Sequence, residues 1–216
     1  MTDHDMVALP PPAELSMSVG EALFTQRAIR RFDPDRPISD ADLRTIIDAG
    51  SKAPNGGNVQ PVRLLVIRDR ERIATFGELY HEAWWAKRAD AYGWVPDQEL
   101  PEGSPYAMPA LLANEIGAAP VVLLVFSHRA PGVSVFPTAQ NLMIAARALG
   151  IGSVLTTLHD TVLERLYEMF AVPAEMRFHC CIPMGYPRGN FGTTRRRPTS
   201  ETTFWNNWGE RPPWGP

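Results

Sequence analysis

Apolar and polar positions along the chain switch between a helical period and short unbroken apolar runs, and the switches mark out the elements. Ser18 and Glu21 have capping-box spacing, so a helix is predicted from Val19 to Arg31, broken by Asp33, Pro34 and Pro37. Ser39 and Asp42 open a second helix with Leu43, Ile46 and Ile47 on one face and Gly50 as its C-cap. "VRLLVIRD" (Val62 to Asp69) is apolar enough for a buried strand, and Arg70 to Tyr80 has a helical pattern. From His81 to Glu115 the pattern is least regular, with Trp84, Trp85, Tyr92, Trp94 and Tyr106 set among prolines and glycines. Long irregular segments of this kind are usually lids, binding loops or disorder, and the aromatic density argues against disorder. A strand (Val121 to Phe126), a helix (Thr138 to Leu149, ended by Gly150), a strand-like "GSVLTT", a helix around Thr161 to Phe170 and a strand (Phe178 to Met184) follow. The tail from Thr199 to Pro216 carries Phe204, Trp205, Trp208 and Trp214 with little pattern. Alternating helices and strands predict an α/β or α+β fold on one central sheet.

Composition narrows the partners. The 216 residues suffice for one substantial core, and a net charge of -3 gives no general attraction to nucleic acid or an anionic membrane. No apolar run approaches the roughly 18 residues needed to span a bilayer. "MTDHDMVALPPPAELSMS" lacks a basic stretch followed by an apolar one, so it is expected to be a flexible lead-in rather than a signal peptide. Cys180 and Cys181 are adjacent, without C-x-x-C spacing, and are expected in a buried strand of a cytoplasmic protein.

Side-chain catalysis needs partners, and the familiar sets are missing. There is no G-x-S-x-G, H-E-x-x-H, P-loop or G-x-G-x-x-G opening a helix after a strand. His4, His81, His128, His159 and His179 share no ligand spacing, and only His81 is kept as a candidate for substrate contact. What the chain offers is arginine: "RAIRR" places Arg27 with Arg30 or Arg31 on one helix face, and "TTRRRPTSE" adds Arg195, Arg196 and Arg197. Either cluster alone is a solvated basic stretch; together they can clamp one phosphate by bidentate contacts. "APNGGNVQP" (Ala53 to Pro61) adds the amides of Asn55, Asn58 and Gln60 and the backbone of Gly56 and Gly57, which suit the edge of a ring with alternating donors and acceptors. The residues themselves point to a phosphorylated aromatic cofactor of open identity.

The chain also resembles the FMN-dependent nitroreductase family at four places in the family's order. "RAIRRF" is similar to its R-R-S-x-R-x-F element, and "APNGGNVQP" to A-P-S-G-G-N-x-Q-P-W. "AQNLMIAARALGIGSV" is similar to the A-x-Q-N-L-x-L-A-A-x-x-L-G-L-G-S helix and turn, and "CIPMGYP...RRRP" to the closing I-x-x-G-Y-P strand with its R-R-x-P contact. Gln26 stands where an arginine is common, Ala28 where a serine often is, and Val62 where a tryptophan follows "QP".

The resemblance implies an α+β, three-layer fold with a central mixed, mainly antiparallel sheet flanked by helices, in an intertwined homodimer. Residues 18–198 would form one FMN-binding domain with a variable lid over 79–115, and residues 199–216 an arm on the partner subunit. FMN would be held at its phosphate and ribityl chain by Gln26, Arg27, Ala28 and Arg30, with Arg195 and Arg196 also on the phosphate. Pro54, Asn55, Gly56, Asn58 and Gln60 would reach the flavin from the partner subunit. Thr156, Thr157, Pro183, Met184 and Gly185 would add contacts. Trp84, Trp85, Tyr92, Trp94 and Tyr106 would line the substrate pocket. The implied chemistry is ping-pong transfer of hydride from NAD(P)H through flavin N5 to a nitroaromatic, quinone or enone, without a metal. A dehalogenase-like activity, or FMN binding without turnover, are the alternatives.

Overall fold

Four strands, β1 (Val62–Ile67), β2 (Val121–His128), β3 (Gly152–Ser153) and β4 (Met176–Gly185), form one sheet in the order β1-β2-β4-β3, each neighbouring pair antiparallel. One parallel bridge, Ala28 to Ser153, adds the N-terminal segment at the β3 edge and makes the arrangement mixed. The computed structural model describes residues 10–128 and 132–214, so residues 1–9 of the expected lead-in, with His4, and residues 215–216 of the expected arm lie outside the described residues.

The sheet is covered on both faces, which is why its strands are continuous apolar runs. Along β2, Val122, Leu124 and Phe126 enter one core, while Val121, Leu123 and Val125 enter the other. The same alternation on β4 sends Cys181 to the first core and Cys180 to the second. Neighbouring thiols on opposite faces of a sheet cannot meet, and both are free and buried. The first core is completed by helices α3 (Arg70–Tyr92) and α4 (Ala107–Glu115), and the second by α2 (Asp40–Ser51) and α5 (Val135–Ala148).

Seven helices are described: α1 (Val19–Thr25), α2 (Asp40–Ser51), α3 (Arg70–Tyr92), α4 (Ala107–Glu115), α5 (Val135–Ala148), α6 (Leu163–Met169) and α7 (Thr199–Thr202). Ser18 and Ser39 cap α1 and α2 as their spacing predicts, accepting from the N–H groups of Glu21 and Asp42. Three expectations are corrected. First, α1 stops at Thr25, and Gln26 to Asp33 is extended, because Ile29 N–H donates to Ser153 O (3.0 Å) and Asp33 N–H to Tyr186 O (2.8 Å). Second, Gly50 lies inside α2 rather than at its cap; a Cβ there would stand 2.6 Å from Leu142 Cδ2, so it serves the close approach of α2 to α5. Third, the helix expected to end at Tyr80 runs to Tyr92, where Gly93 (φ 68°) closes it by donating to Ala89 O. The prolines and glycines of the irregular segment begin only at Gly93, and nothing before them stops the helix.

Candidate anion and cofactor site

The two arginine clusters meet, although they lie more than 160 residues apart in sequence. The extended Gln26–Asp33 segment is pinned to the sheet edge, and the chain beyond β4 folds back on it: Arg188 N–H donates to Arg31 O (3.1 Å), and Thr194 N–H to Phe24 O (2.9 Å). Arg27, Ala28 and Arg30 then face Gly192, Thr193, Thr194, Arg195 and Arg196 across a cavity of about 670 Å³. The predicted helix face is therefore replaced by an extended strand-like segment, yet Arg27 and Arg30 still share one site. Arg31 leaves the group by pairing with Glu115 (3.5 Å).

Among the described residues no carboxylate lies within ion-pair distance of Arg27, Arg30, Arg195 or Arg196. Burial lowers the pKa of Arg30, and Arg27 beside it acts in the same direction. Tyr80 opposes both, and the like charge of Arg27 is one that a bound anion would offset. A phosphate-bearing ligand fits this donor set.

Sequence reasoning missed a residue that holds the site together. Arg147, in the last turn of α5, donates from Nε to Thr25 Oγ1 (2.9 Å) and stacks on the Phe191 ring (4.2 Å). It ties the end of α1 to the returning chain just ahead of the cavity. Its position in "AARALG" shows only a cation near a helix C-terminus, so nothing in the sequence distinguishes it.

The amide-rich loop does not line this cavity. It folds on itself: Gln60 N–H donates to Asn55 Oδ1 (2.8 Å), and the Asn55 amide reaches Ala53 O (3.4 Å). Gly57, Asn58 and Gln60 all have positive φ, of 58°, 51° and 47°. For a glutamine this is an uncommon backbone state, the kind of strain that persists where surrounding contacts or function demand it. Pro54, Gly56 and Asn58 are exposed.

The other expected contacts are distributed as follows. Gln26 caps α1, its N–H donating to Ala22 O (2.9 Å). Thr156 Oγ1 is 2.8 Å from Tyr80 Oη, and Lys87 Nζ donates to Thr157 O (2.8 Å). Pro183, Met184 and Gly185 are buried in β4, and a Cβ on Gly185 would meet Pro120 Cδ at 2.7 Å. Met184 thus places its side chain in the second core rather than in the cavity.

The five aromatic residues expected at the substrate pocket lie in two adjoining groups. Trp84 and Trp85 are core residues on α3, edge to face at 4.8 Å, and Trp85 Nε1 donates to His81 Nε2 (3.1 Å). Tyr92, Trp94 and Tyr106 form a second group nearer solvent, Trp94 and Tyr106 packing against the same core, with Tyr92 and Tyr106 hydroxyls 2.7 Å apart. Arg88 bridges the two groups, lying 4.3 Å above Trp84 and 5.3 Å from Tyr106.

Comparison with known proteins agrees with this architecture. The sequence profile of the nitroreductase family matches residues 23–186. The chain is 29% identical over 168 residues to an Archaeoglobus fulgidus protein provisionally named NADH dehydrogenase/NAD(P)H nitroreductase, covering 77% of this chain and 83% of that one. It is 26% identical over 169 residues to the iodotyrosine deiodinase of Thermotoga neapolitana, covering 75% and 84%. The crystal structure of a provisionally named nitroreductase from Desulfovibrio desulfuricans in complex with FMN superposes with a TM-score of 0.62 at 28% identity, over 89% of this chain and 98% of that one. With a family match across most of its length and the family's fold, the chain belongs to the nitroreductase family.

Proposed function

We propose that the protein is an FMN-dependent oxidoreductase that accepts hydride from NAD(P)H and delivers it to a small acceptor such as a nitroaromatic, quinone or enone. The observation that carries this reading is the cradle of Arg27, Arg30, Arg195 and Arg196, assembled from both ends of the fold with no paired carboxylate among the described residues. FMN supplies the hydride chemistry when bound, and the protein supplies position and electrostatics.

The four arginines hold the phosphate by charge-assisted hydrogen bonds. Arg147 fixes the segments that carry them. Tyr80 and Lys87 hold the Thr156–Thr157 turn, so those threonines present a fixed surface rather than free side chains. The Ala53–Pro61 loop, held in its strained shape away from its own cradle, meets the flavin of a second copy in a homodimer. Apolar side chains left in water support that second copy: Phe24 is 70% exposed and Trp208 90%.

A dehalogenase-like activity is the second reading, favoured by the relative named as a deiodinase. Glu78, Tyr80, Glu82 and Lys87 on α3 are the residue types such an activity would use, and three of them are engaged otherwise: Glu82 pairs with Arg165, Tyr80 is bonded to Thr156, and Lys87 to Thr157.

The test is the double substitution Arg27→Ala with Arg196→Ala. Purified wild-type protein is expected to carry FMN close to one per chain, and the double variant to lose most of it. Stoichiometric flavin in a folded double variant would remove the assignment of the cradle.

A further inference from the structure

We propose that Arg88 is the anchor for a negatively charged group on the acceptor, so that the enzyme prefers aromatic acceptors bearing a carboxylate. The proposal deepens the oxidoreductase reading and rests on it for the identity of the ligand as acceptor.

Arg88 is half-buried, with aromatic faces around its guanidinium and, among the described residues, no carboxylate within ion-pair distance. It lies over Trp84 at 4.3 Å and beside Tyr106 at 5.3 Å. Its Nε is fully enclosed and, among the described residues, has no hydrogen-bond partner. Enclosing a donor without an acceptor is unfavourable, and stacking on a ring does not remove that loss. The acids nearby in sequence are committed elsewhere: Asp90 to His159 (2.9 Å) and Glu82 to Arg165 (2.5 Å). A ligand carboxylate would give the guanidinium's remaining N–H groups a planar, two-oxygen partner and offset the charge that Nε shares.

Position on α3 ties Arg88 to the proposed cofactor site. Tyr80, Trp84, Arg88 and Tyr92 recur every four residues and so share a stripe of the helix. At one end of the stripe, Tyr80 bonds Thr156, and the charges of both Arg30 and Arg88 act on its hydroxyl. At the other end, Tyr92, Trp94 and Tyr106 form the outer cluster. Arg88 lies between them, about 12 Å along the axis from Tyr80 at 1.5 Å per residue. An aromatic acceptor whose anionic group meets Arg88 from the Tyr80 side would have its opposite, reducible group directed toward the cofactor end, with the outer rings beyond Arg88.

The experiment compares 4-nitrobenzoate with its uncharged isostere 4-nitrobenzamide. Each is measured as a ligand, by quenching of indole fluorescence, and as a substrate, where one NAD(P)H and one proton convert the nitro group to nitroso and water. Wild-type protein is expected to bind and turn over the benzoate at least about tenfold better by Kd and kcat/KM, the discrimination of one well-made charged contact. Arg88→Gln is expected to abolish that preference and Arg88→Lys to retain part of it. Unreactive benzoate and benzamide, as competitive inhibitors of the wild type, give the same comparison if the variants fold poorly. Equal affinity for the charged and neutral members overturns the proposal. Flavin content of the same preparations separates the two claims. Selective benzoate binding by a protein that takes up no flavin overturns the oxidoreductase reading, and a flavin-loaded protein without discrimination overturns the role of Arg88.

Discussion

Two adjacent thiols illustrate how strand geometry sets the chemistry of single residues. Cys180 and Cys181 point into opposite cores. Burial pushes Cys180 up to about 12 and raises Cys181 as well, so both stay uncharged at neutral pH. In the unfolded chain a thiol titrates near about 8.5. Above that pH the unfolded state has released protons that the folded state keeps, so stability falls as pH rises. The urea midpoint should therefore drop between about pH 8 and 10, and drop less in Cys180→Ala; an equal drop in the two proteins would detach it from this thiol. The native thiols should also resist a disulfide-exchange reagent until the protein unfolds. Gly77 is the corresponding steric case. A Cβ there would stand 2.6 Å from Gly117 Cα, which is backbone and cannot rotate away. Gly77→Ala should cost about 1–3 kcal/mol in urea unfolding, by overpacking. Neither role was legible beforehand: the cysteines' burial was, but not the alternation that separates them, and Gly77 is one small residue in a helix until Gly117 is placed against it.

Elements were legible where local chemistry decides them and obscure where a distant partner does. The serine caps, the unbroken apolar strands and the close of α5 at Gly150 (φ 73°) are local signals, and they hold. Ser39→Ala should lower stability by about 1 kcal/mol, since its hydroxyl accepts from Asp42 N–H at 3.0 Å; an unchanged unfolding curve would show that water replaces the cap. The end of α1 was misjudged because "QRAIRR" has ordinary helix formers, and only the bonds to Ser153 and Tyr186 draw it into extended form. The length of α3 was missed for a different reason. Averaging residues 81–115 spread the prolines and glycines from Gly93 onward over about three helical turns that contain none. That extension puts Trp84 and Trp85 into the core and places Arg88 on the same helix stripe as Tyr80.

For the whole molecule, the arginine pairing was legible as an idea and its geometry was not. Two basic clusters in a slightly acidic chain suggested one anion, but their meeting depends on the chain beyond β4 folding back on α1. The same scale holds the proposed dimer. With Phe24, Phe136 and Trp208 exposed, light scattering should give twice the 24.0 kDa chain mass, and removing residues 204–216 should shift the protein toward monomer. A monomeric full-length protein would leave the Ala53–Pro61 loop without a flavin to meet. The most direct measurement is the absorbance spectrum of the purified protein from about 300 to 550 nm, before and after anaerobic NAD(P)H. An oxidised flavin spectrum that bleaches with NAD(P)H and recovers on adding a nitroaromatic or quinone is the expected result. A protein that stays colourless after incubation with FMN, or a bound flavin that NAD(P)H leaves oxidised, would contradict the account.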